Sequence, residues 1–595
     1  RMDLPLRRNQ ATLLGYQPVG TAHFEVQSMG ERFSSRDPIF NAAVSAATRA
    51  KKSPPTEATW RGYAFLGQID LGTRERGLHW FADNAKGWVQ SDRLSAQEVL
   101  VEGEVCRLRL NLIAEATPLS EAQTIVYGLL PHPAKPLAAD HRLLNEAASP
   151  DDPRTTSLTS SVFLAIPASP KAGDMAMFPR NGSWEDAERA GQSLRSMASG
   201  FRTMYTSIGY ASCRAGAYDH ADWRNMSGSR ISLTDSMVDY LIAELDQWIG
   251  RDIYDAFYVD DSYNMPITGE AAVTSGHAIR LPDGSIQAGM HLWQHRNLMK
   301  RWRQVMLDHG RRPMIMAHHT GTWMYPGFVF CEATLDGEGE PTITHRGKEA
   351  TFVDYIATRQ ERFSVIQNPE LWGIAKFYMP SIWGFGPQAK GESPHRAWAW
   401  RMARGAQALF AHQEVHSTFY DEDGGVFSAF WGQLKQWGAL DPSVAFTPHH
   451  RSRALIACDD DERSTWVSCY HKGPTILLIV SNLTREDRDI RLRPRLADLG
   501  LGPAPTIIVQ DALLERPPGS DPYETMAVNK TKADLDAQLQ EKKAPSDDID
   551  VFAELEAQEA SGKIPASTGP AAPTWDGDVL VVPVRKQDYR VITLE

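Results

Sequence analysis

The sequence predicts an N-terminal β-sandwich (1–150), a central (β/α)8-type barrel (161–440) and a C-terminal β-sandwich (441–595) with a charged insertion at about 515–574. Three observations lead there. Apolar residues recur at a period of two near the start, switch to strands alternating with amphipathic helices in the middle, and return to strand-rich runs at the end. A chain of 595 residues also exceeds one ordinary core, and a prior of about 150 residues per domain gives roughly three or four.

The N-terminal reading rests on runs such as VCRLRLNLI, where Val105, Leu108, Leu110 and Leu112 fall largely on one side of a half-buried strand. SPDDP, inside the polar stretch Ala138 to Ser160, reads as a linker. Beyond it, Val238, Leu241, Ile242, Leu245, Trp248 and Ile249 recur at three- and four-residue spacing and predict a helix over 232–250. Ser232 and Asp235 suit a capping box, and Gly250 suits the stop. A strand ending at Asp260 follows. A second helix over 292–309 precedes PMIMA (313–317), and further strands are expected at 327–331, 374–379 and 406–411. Alternation of this kind calls for a parallel sheet, and at this length a (β/α)8-type barrel closes it economically. STWVSCY, TILLIVSNL, IRLRPRL, VLVVPV and YRVITLE supply the final β domain, while the Ala-rich, aromatic-poor insertion reads as solvated.

Composition narrows the function. A net charge of -12 with no long basic stripe argues against a general nucleic-acid binder. No apolar run is long enough to span a membrane. Five scattered cysteines without a CxxC pair indicate neither a zinc ribbon nor a disulfide scaffold, and Cys458 and Cys469 read as free thiols. The opening RMDLPLRRNQ does not begin with an initiator Met, which fits an export signal already removed and a periplasmic or extracellular location. No nucleotide-binding glycine fingerprint follows a strand, so no organic cofactor is expected.

In parallel barrels chemistry gathers at the C-terminal ends of the strands. Three expected strand ends carry polar groups: Asp260 and Asp261 after AFYV, His318 and His319 after PMIMA, and Glu332, Asp336 and Glu338 after GFVFC. Two carboxyls held close cannot both ionise cheaply, so one keeps its proton at neutral pH. Glycoside cleavage uses that difference, with one group protonating the leaving oxygen while the other attacks, activates water or orients the substrate. CEATLDGEGEP also reads as a solvated loop or cation-binding turn, although no EF-hand spacing is present and no metal site is assigned. HQEVH (412–416) places its Glu away from the metalloprotease positions. Trp293, Trp323, Tyr325, Trp372, Trp383 and Trp431 are candidates for stacking on sugar rings, with two or three expected at the site and the rest in the core.

WRGYAFLGQIDLGTRERGLHWFADNAKGW (60–88), TIVYGLLPHPAKPL (124–137) and MIMAHHTGTWMYPGFVFCEATLDGEGE (314–340) together resemble bacterial proteins related to glycoside hydrolase family 123. The resemblance implies a β-sandwich, a (β/α)8 barrel and a C-terminal β domain in an exported carbohydrate-active enzyme. It further implies an adjacent acid pair at a strand end, where Asp orients the acetamido group of a β-linked N-acetylgalactosamine and Glu protonates the departing oxygen. This chain has Asp260-Asp261 there, one methylene shorter at the second acid, so Asp336 or Glu338 is the alternative proton donor.

The expected function is hydrolysis of glycosidic bonds in a polysaccharide or oligosaccharide. The catalytic candidates are Asp260, Asp261, Asp336 and Glu338, and Tyr258, His318, His319, Trp323, Glu332, Trp383 and Arg180 are expected to bind substrate. Two rivals are a polysaccharide lyase, using His318 or Tyr258 as base and Arg180 against a uronate, and a carbohydrate-binding scaffold without chemistry.

Overall fold

The computed structural model describes residues 1–19, 24–34, 65–91, 93–144, 183–197, 201–207, 233–260, 262, 270–281, 284, 286–337, 352–357, 359–380, 396–417, 426–510 and 570–595. These divide into two compact units. The first comprises Arg1–Ala138, Leu144–Asp336 and Pro369–Ala375; the second comprises Ala139–Leu143, Gly337–Asn368 and Lys376–Glu595.

The first unit opens with two antiparallel sheets. One runs Met2–Arg7, Val105–Leu110, Gln97–Glu102, Arg32–Ser34 in spatial order; the other runs Glu25–Ser28, Leu13–Pro18, Leu66–Gly72, Gly77–Phe81, Gly128–His132. Alternation in Val105–Leu110 puts Cys106, Leu108 and Leu110 inside and leaves Val105 half-buried. Leu66–Gly72 is buried along its whole length, so it carries core residues on one face and a polar network on the other. In that network His79 Nδ1 lies 3.0 Å from Asp70 and His132 Nε2 3.0 Å from the same carboxyl. His79 Nε2 lies 3.0 Å from Gln68 Oε1, and Gln68 Nε2 donates to Gln17 Oε1 at 2.7 Å and to the Trp323 carbonyl at 2.8 Å. A charged network is thereby fastened to the turn after His318.

WFADN makes a second attachment. Asp83 Oδ1 accepts from the backbone of Leu292 at 2.6 Å and of Trp293 at 3.3 Å, capping the 17-residue helix Leu292–Asp308. Asn84 Nδ2 donates to the carbonyls of Gly276 and His277. Burial pushes the Asp83 carboxyl up to about 7, against the lowering effect of the two backbone hydrogen bonds. The native state therefore holds this proton across roughly pH 4 to 7 where the unfolded chain has lost it, and stability falls as pH rises through that window. Asp83→Asn keeps the acceptor and removes the charge. Denaturant midpoints are expected to fall less between pH 5 and pH 8 in the variant than in the parent, by up to about 3 kcal/mol of unfolding free energy.

Four parallel strands follow in spatial order: Thr203–Ser207, Ala256–Asp260, Ile315–His318 and Ala333–Asp336. Helix Asp235–Gly250 buries the expected stripe Val238, Leu241, Ile242, Leu245, Trp248 and Ile249. Its cap is Thr234, whose hydroxyl accepts from Met237 N at 3.3 Å; the expected cap Ser232 lies outside the described residues. Two strand expectations are corrected. Residues 327–331 are not a strand, because Pro326 starts the helical turn Tyr325–Phe328 and the strand begins only at Ala333. Residues 406–411 belong to or follow helix Arg396–Phe410, where Ala403, Ala406, Leu409 and Phe410 are buried; a short apolar run rich in Ala suits either state by periodicity, and helix propensity prevails.

In the second unit Phe377 and Tyr378 pair in parallel with His416 and Ser417. Among the described residues no closed eight-stranded ring is present. Downstream, one antiparallel sheet runs Ala445–Thr447, Thr465–Lys472, Thr475–Asn482, Asp588–Leu594, Ile507–Val509, and another runs Ile456–Cys458, Arg488–Pro494, Val579–Val584, Thr574–Asp576. Val467, Leu478, Val480, Ile490, Leu492 and Val582 share one apolar core. Residues 515–569 of the expected insertion lie outside the described residues, and Thr574 already belongs to a strand. Cys458 and Cys469 are free thiols, Cys458 half-buried and Cys469 buried.

HQEVH serves as a buried latch in this unit. His412 meets Ser468 at 2.8 Å and Ser481 at 2.7 Å, and His416 Nε2 lies 3.0 Å from the His141 carbonyl. Glu414 binds Arg142 at 2.6 Å and His141 at 2.9 Å. Arg142 also donates to the carbonyls of Ala439 and Val444. No helix among the described residues is long and apolar enough to cross a membrane.

Candidate active site

Side chains two apart on a strand share a face, so Tyr258 and Asp260 point the same way while Val259 packs on the other side. Parallel register sets Tyr258 beside Met316 and Val259 beside Ala317, which brings His318, the last residue of its strand, level with Asp260. Ser262 N donates to the His318 carbonyl at 2.8 Å and holds the chain there beyond the strand end.

The result is a cluster centred on one imidazole. His318 Nδ1 lies 2.9 Å from Asp260 Oδ1 and 2.6 Å from the Tyr258 hydroxyl, and Nε2 lies 2.9 Å from the Thr320 hydroxyl. His318 is almost wholly buried, whereas the Asp260 side chain is 19% exposed, so the carboxyl is the part of the cluster that a solute can reach. A ring nitrogen carries one proton at most. When Nδ1 is protonated it donates toward Asp260; when it is not, the Tyr258 O–H donates to it. His318 can thus exchange a proton between a phenol and a carboxyl, the property that acid–base catalysis requires. Thr320 has φ 27°, an uncommon value for a β-branched residue, and that conformation carries its hydroxyl to Nε2.

A second acid stands on the next strand. Asp336 is the terminal residue of Ala333–Asp336, is 1% exposed, and accepts from Gly321 N at 2.8 Å. His319 Nδ1 lies 3.9 Å from Asp336 Oδ1, too far for a hydrogen bond but close enough for electrostatic coupling. Asp336 thus braces the turn that holds Thr320.

Tyr258, Asp260 and His318 therefore meet at one edge of the parallel strands, where Asp336 and His319 also lie but do not face them: the register sets Leu335 beside His318, which turns Asp336 to the other side of the sheet, and the His319 ring packs 5.3 Å from Trp323 and 5.5 Å from Phe328. Two further expected members do not join them. Glu332 precedes its strand and sits at the opposite edge, accepting from Ile315 N at 3.1 Å and binding Arg303. Its misplacement follows from the misread strand at 327–331. Trp323 is fully buried, 4.9 Å from the Trp372 ring and 5.3 Å from Phe328, so it is a core residue and offers no face to a sugar. Tyr325 and Trp372 are also fully buried, and Trp431 is nearly so. Asp261, Glu338, Trp383 and Arg180 lie outside the described residues. The role of Thr320 was the part least open to sequence reasoning, because only its backbone conformation reveals where the hydroxyl points.

No protein-family model matches the chain. No curated protein matches it. Among solved structures it is similar to an α-galactosidase from Lactobacillus brevis, at 10% identity and a TM-score of 0.43, over 100% of this chain and 75% of that one. It is also similar to a maltogenic α-amylase from Thermotoga neapolitana, at 11% identity and a TM-score of 0.35, over 69% of this chain and 81% of that one. An α-amylase from Geobacillus thermoleovorans, solved with acarbose, gives 9% identity and a TM-score of 0.36 over 70% of this chain and 82% of that one. Likeness at this level transfers no residue role.

Proposed function

We propose that this chain is a glycoside hydrolase whose chemistry centres on Asp260, with His318 and Tyr258 setting the protonation of that carboxyl. The observation that carries the reading is the meeting of Asp260 Oδ1, the Tyr258 hydroxyl and His318 Nδ1 within 2.9 Å at the ends of adjacent parallel strands. Asp260 acts as nucleophile or substrate-orienting carboxylate, and Asp261 or Glu338 supplies the leaving-group proton. The parallel strands are read as arcs of a (β/α)8-type barrel over 161–440, flanked by the β domains 1–150 and 441–595.

A polysaccharide lyase is the second reading. The 2.6 Å contact between Tyr258 and His318 favours it, since such a pair can abstract and return a proton beside a uronate. Product analysis separates the two. The full chain is incubated with amino-sugar, uronic-acid and pentose polymers, and the new ends are examined by mass and ultraviolet absorption. Hydrolysis adds water across the broken bond and gives saturated reducing ends; elimination adds none and leaves an unsaturated, absorbing end. Saturated products support the hydrolase, and unsaturated ones replace it with the lyase.

A further inference from the structure

A cleft of about 950 Å³ lies in the second unit. Its floor is one face of the helix Val426–Trp437, where Ala429, Gly432, Gln433, Gln436 and Trp437 recur at three- and four-residue spacing. Lys472 and Thr475, which flank the tight turn at Gly473, form one wall. Ile508, Val509 and Gln510 form the other, along a strand that ends its sheet, with Glu595 beside them.

The lining specifies the ligand's chemistry. Gln436 and Gln510 each bring an amide that both donates and accepts, and Thr475 adds a hydroxyl that does the same. The charged lining residues are Lys472 and Glu595, and Lys472 is engaged with the Trp437 carbonyl at 3.2 Å and lies over the Trp437 ring. A phosphate- or carboxylate-rich ligand would find no cluster of cations here. Small residues at Ala429 and Gly432 let a ring approach the helix, and a Cβ built at Gly432 meets nothing within 4 Å. The exposed side chains of Ile508 and Val509 offer an apolar surface for the C–H face of a pyranose.

We propose that this cleft is a second carbohydrate site, which binds a neutral oligosaccharide segment through amide–hydroxyl hydrogen bonds rather than through ring stacking. Trp437 is 9% exposed and capped by Lys472, so it shapes the floor without presenting a platform. The site uses none of the residues proposed for the chemistry and would hold a polymer to the protein whether or not it is cleaved.

The test is affinity electrophoresis of the full chain through gels cast with a soluble β-glucan, an arabinoxylan, a galactan or polygalacturonate. At least one neutral polymer is expected to retard the parent. Gly432→Leu fills the cleft while improving helix propensity, and Gln436→Ala/Gln510→Ala removes two amides; each is expected to weaken retardation at least about 10-fold with an unchanged melting temperature. Asp260→Asn is expected to be retarded like the parent even if it turns nothing over, so failure of the hydrolase reading and failure of this one are separable. No retardation of the parent by any neutral polymer, or retardation that Gly432→Leu leaves intact, overturns the proposal. Protection of the Ile507–Val509 amides by an extended Thr/Val peptide, without glycan retardation, assigns the cleft to strand addition and overturns it equally.

Discussion

Asp260→Asn is expected to lower glycan turnover by about 100- to 10,000-fold, the range typical of a lost acid–base or nucleophilic carboxyl, while the protein stays folded. Asn matches Asp in shape and keeps one oxygen able to accept from His318. The side chain is partly exposed, so exchanging an oxygen for an NH2 group leaves no deeply buried unsatisfied atom. Fold and chemistry therefore separate cleanly. Turnover on the polymer identified by the product screen, compared with the thermal midpoint of the same sample, makes the measurement. A rate within about tenfold of the parent would move the catalytic role to another acid.

The largest stability effect is expected from Arg142→Met. Arg142 and Glu414 are both almost wholly buried, and the guanidinium also donates to the carbonyls of Ala439 and Val444 at 3.0 and 2.8 Å. Met fills much of the same volume but supplies no donor. The carboxylate then keeps His141 and the Tyr470 hydroxyl but no permanent cation, and the two carbonyls lose a partner, so a loss of about 3–5 kcal/mol is expected. Adding Glu414→Gln to Arg142→Met should recover part of that loss by removing the stranded charge, as read from denaturant midpoints. In the parent, Arg142 and His141 hold Glu414 down to about 2 despite burial. Its stabilisation is thus complete above the ordinary value near 4.5 and is lost as pH falls toward 2.

What the sequence disclosed follows a physical division. Helix 235–250 was legible because its buried stripe keeps helical spacing, and the long C-terminal strands were legible because they are unbroken and rich in β-branched residues. Asp260 and His318 were legible because strand ends in parallel sheets carry the polar rim. The segment 327–331 misled because its aromatics suit a strand, while Pro326 sets a helical turn whose bonds are local. That error carried Glu332 to the wrong edge. Trp323 misled for another reason: its burial depends on Trp372 and Tyr325, and composition does not reveal which indoles meet in space. The links from Asp70 to His132 and from Gln68 to Trp323, and the Arg142–Glu414 latch, join residues distant in sequence and leave no local pattern. Thr320 required a φ value.

The most direct measurement is a crystal structure of Asp260→Asn soaked with the polymer fragment it no longer cleaves. The scissile oxygen or the reacting sugar carbon is predicted within about 3–3.5 Å of residue 260, with Tyr258 and His318 on the same side of the ring. A fragment bound with its linkage remote from residue 260, in crystals where that edge of the strands is open to solvent, would contradict the assignment.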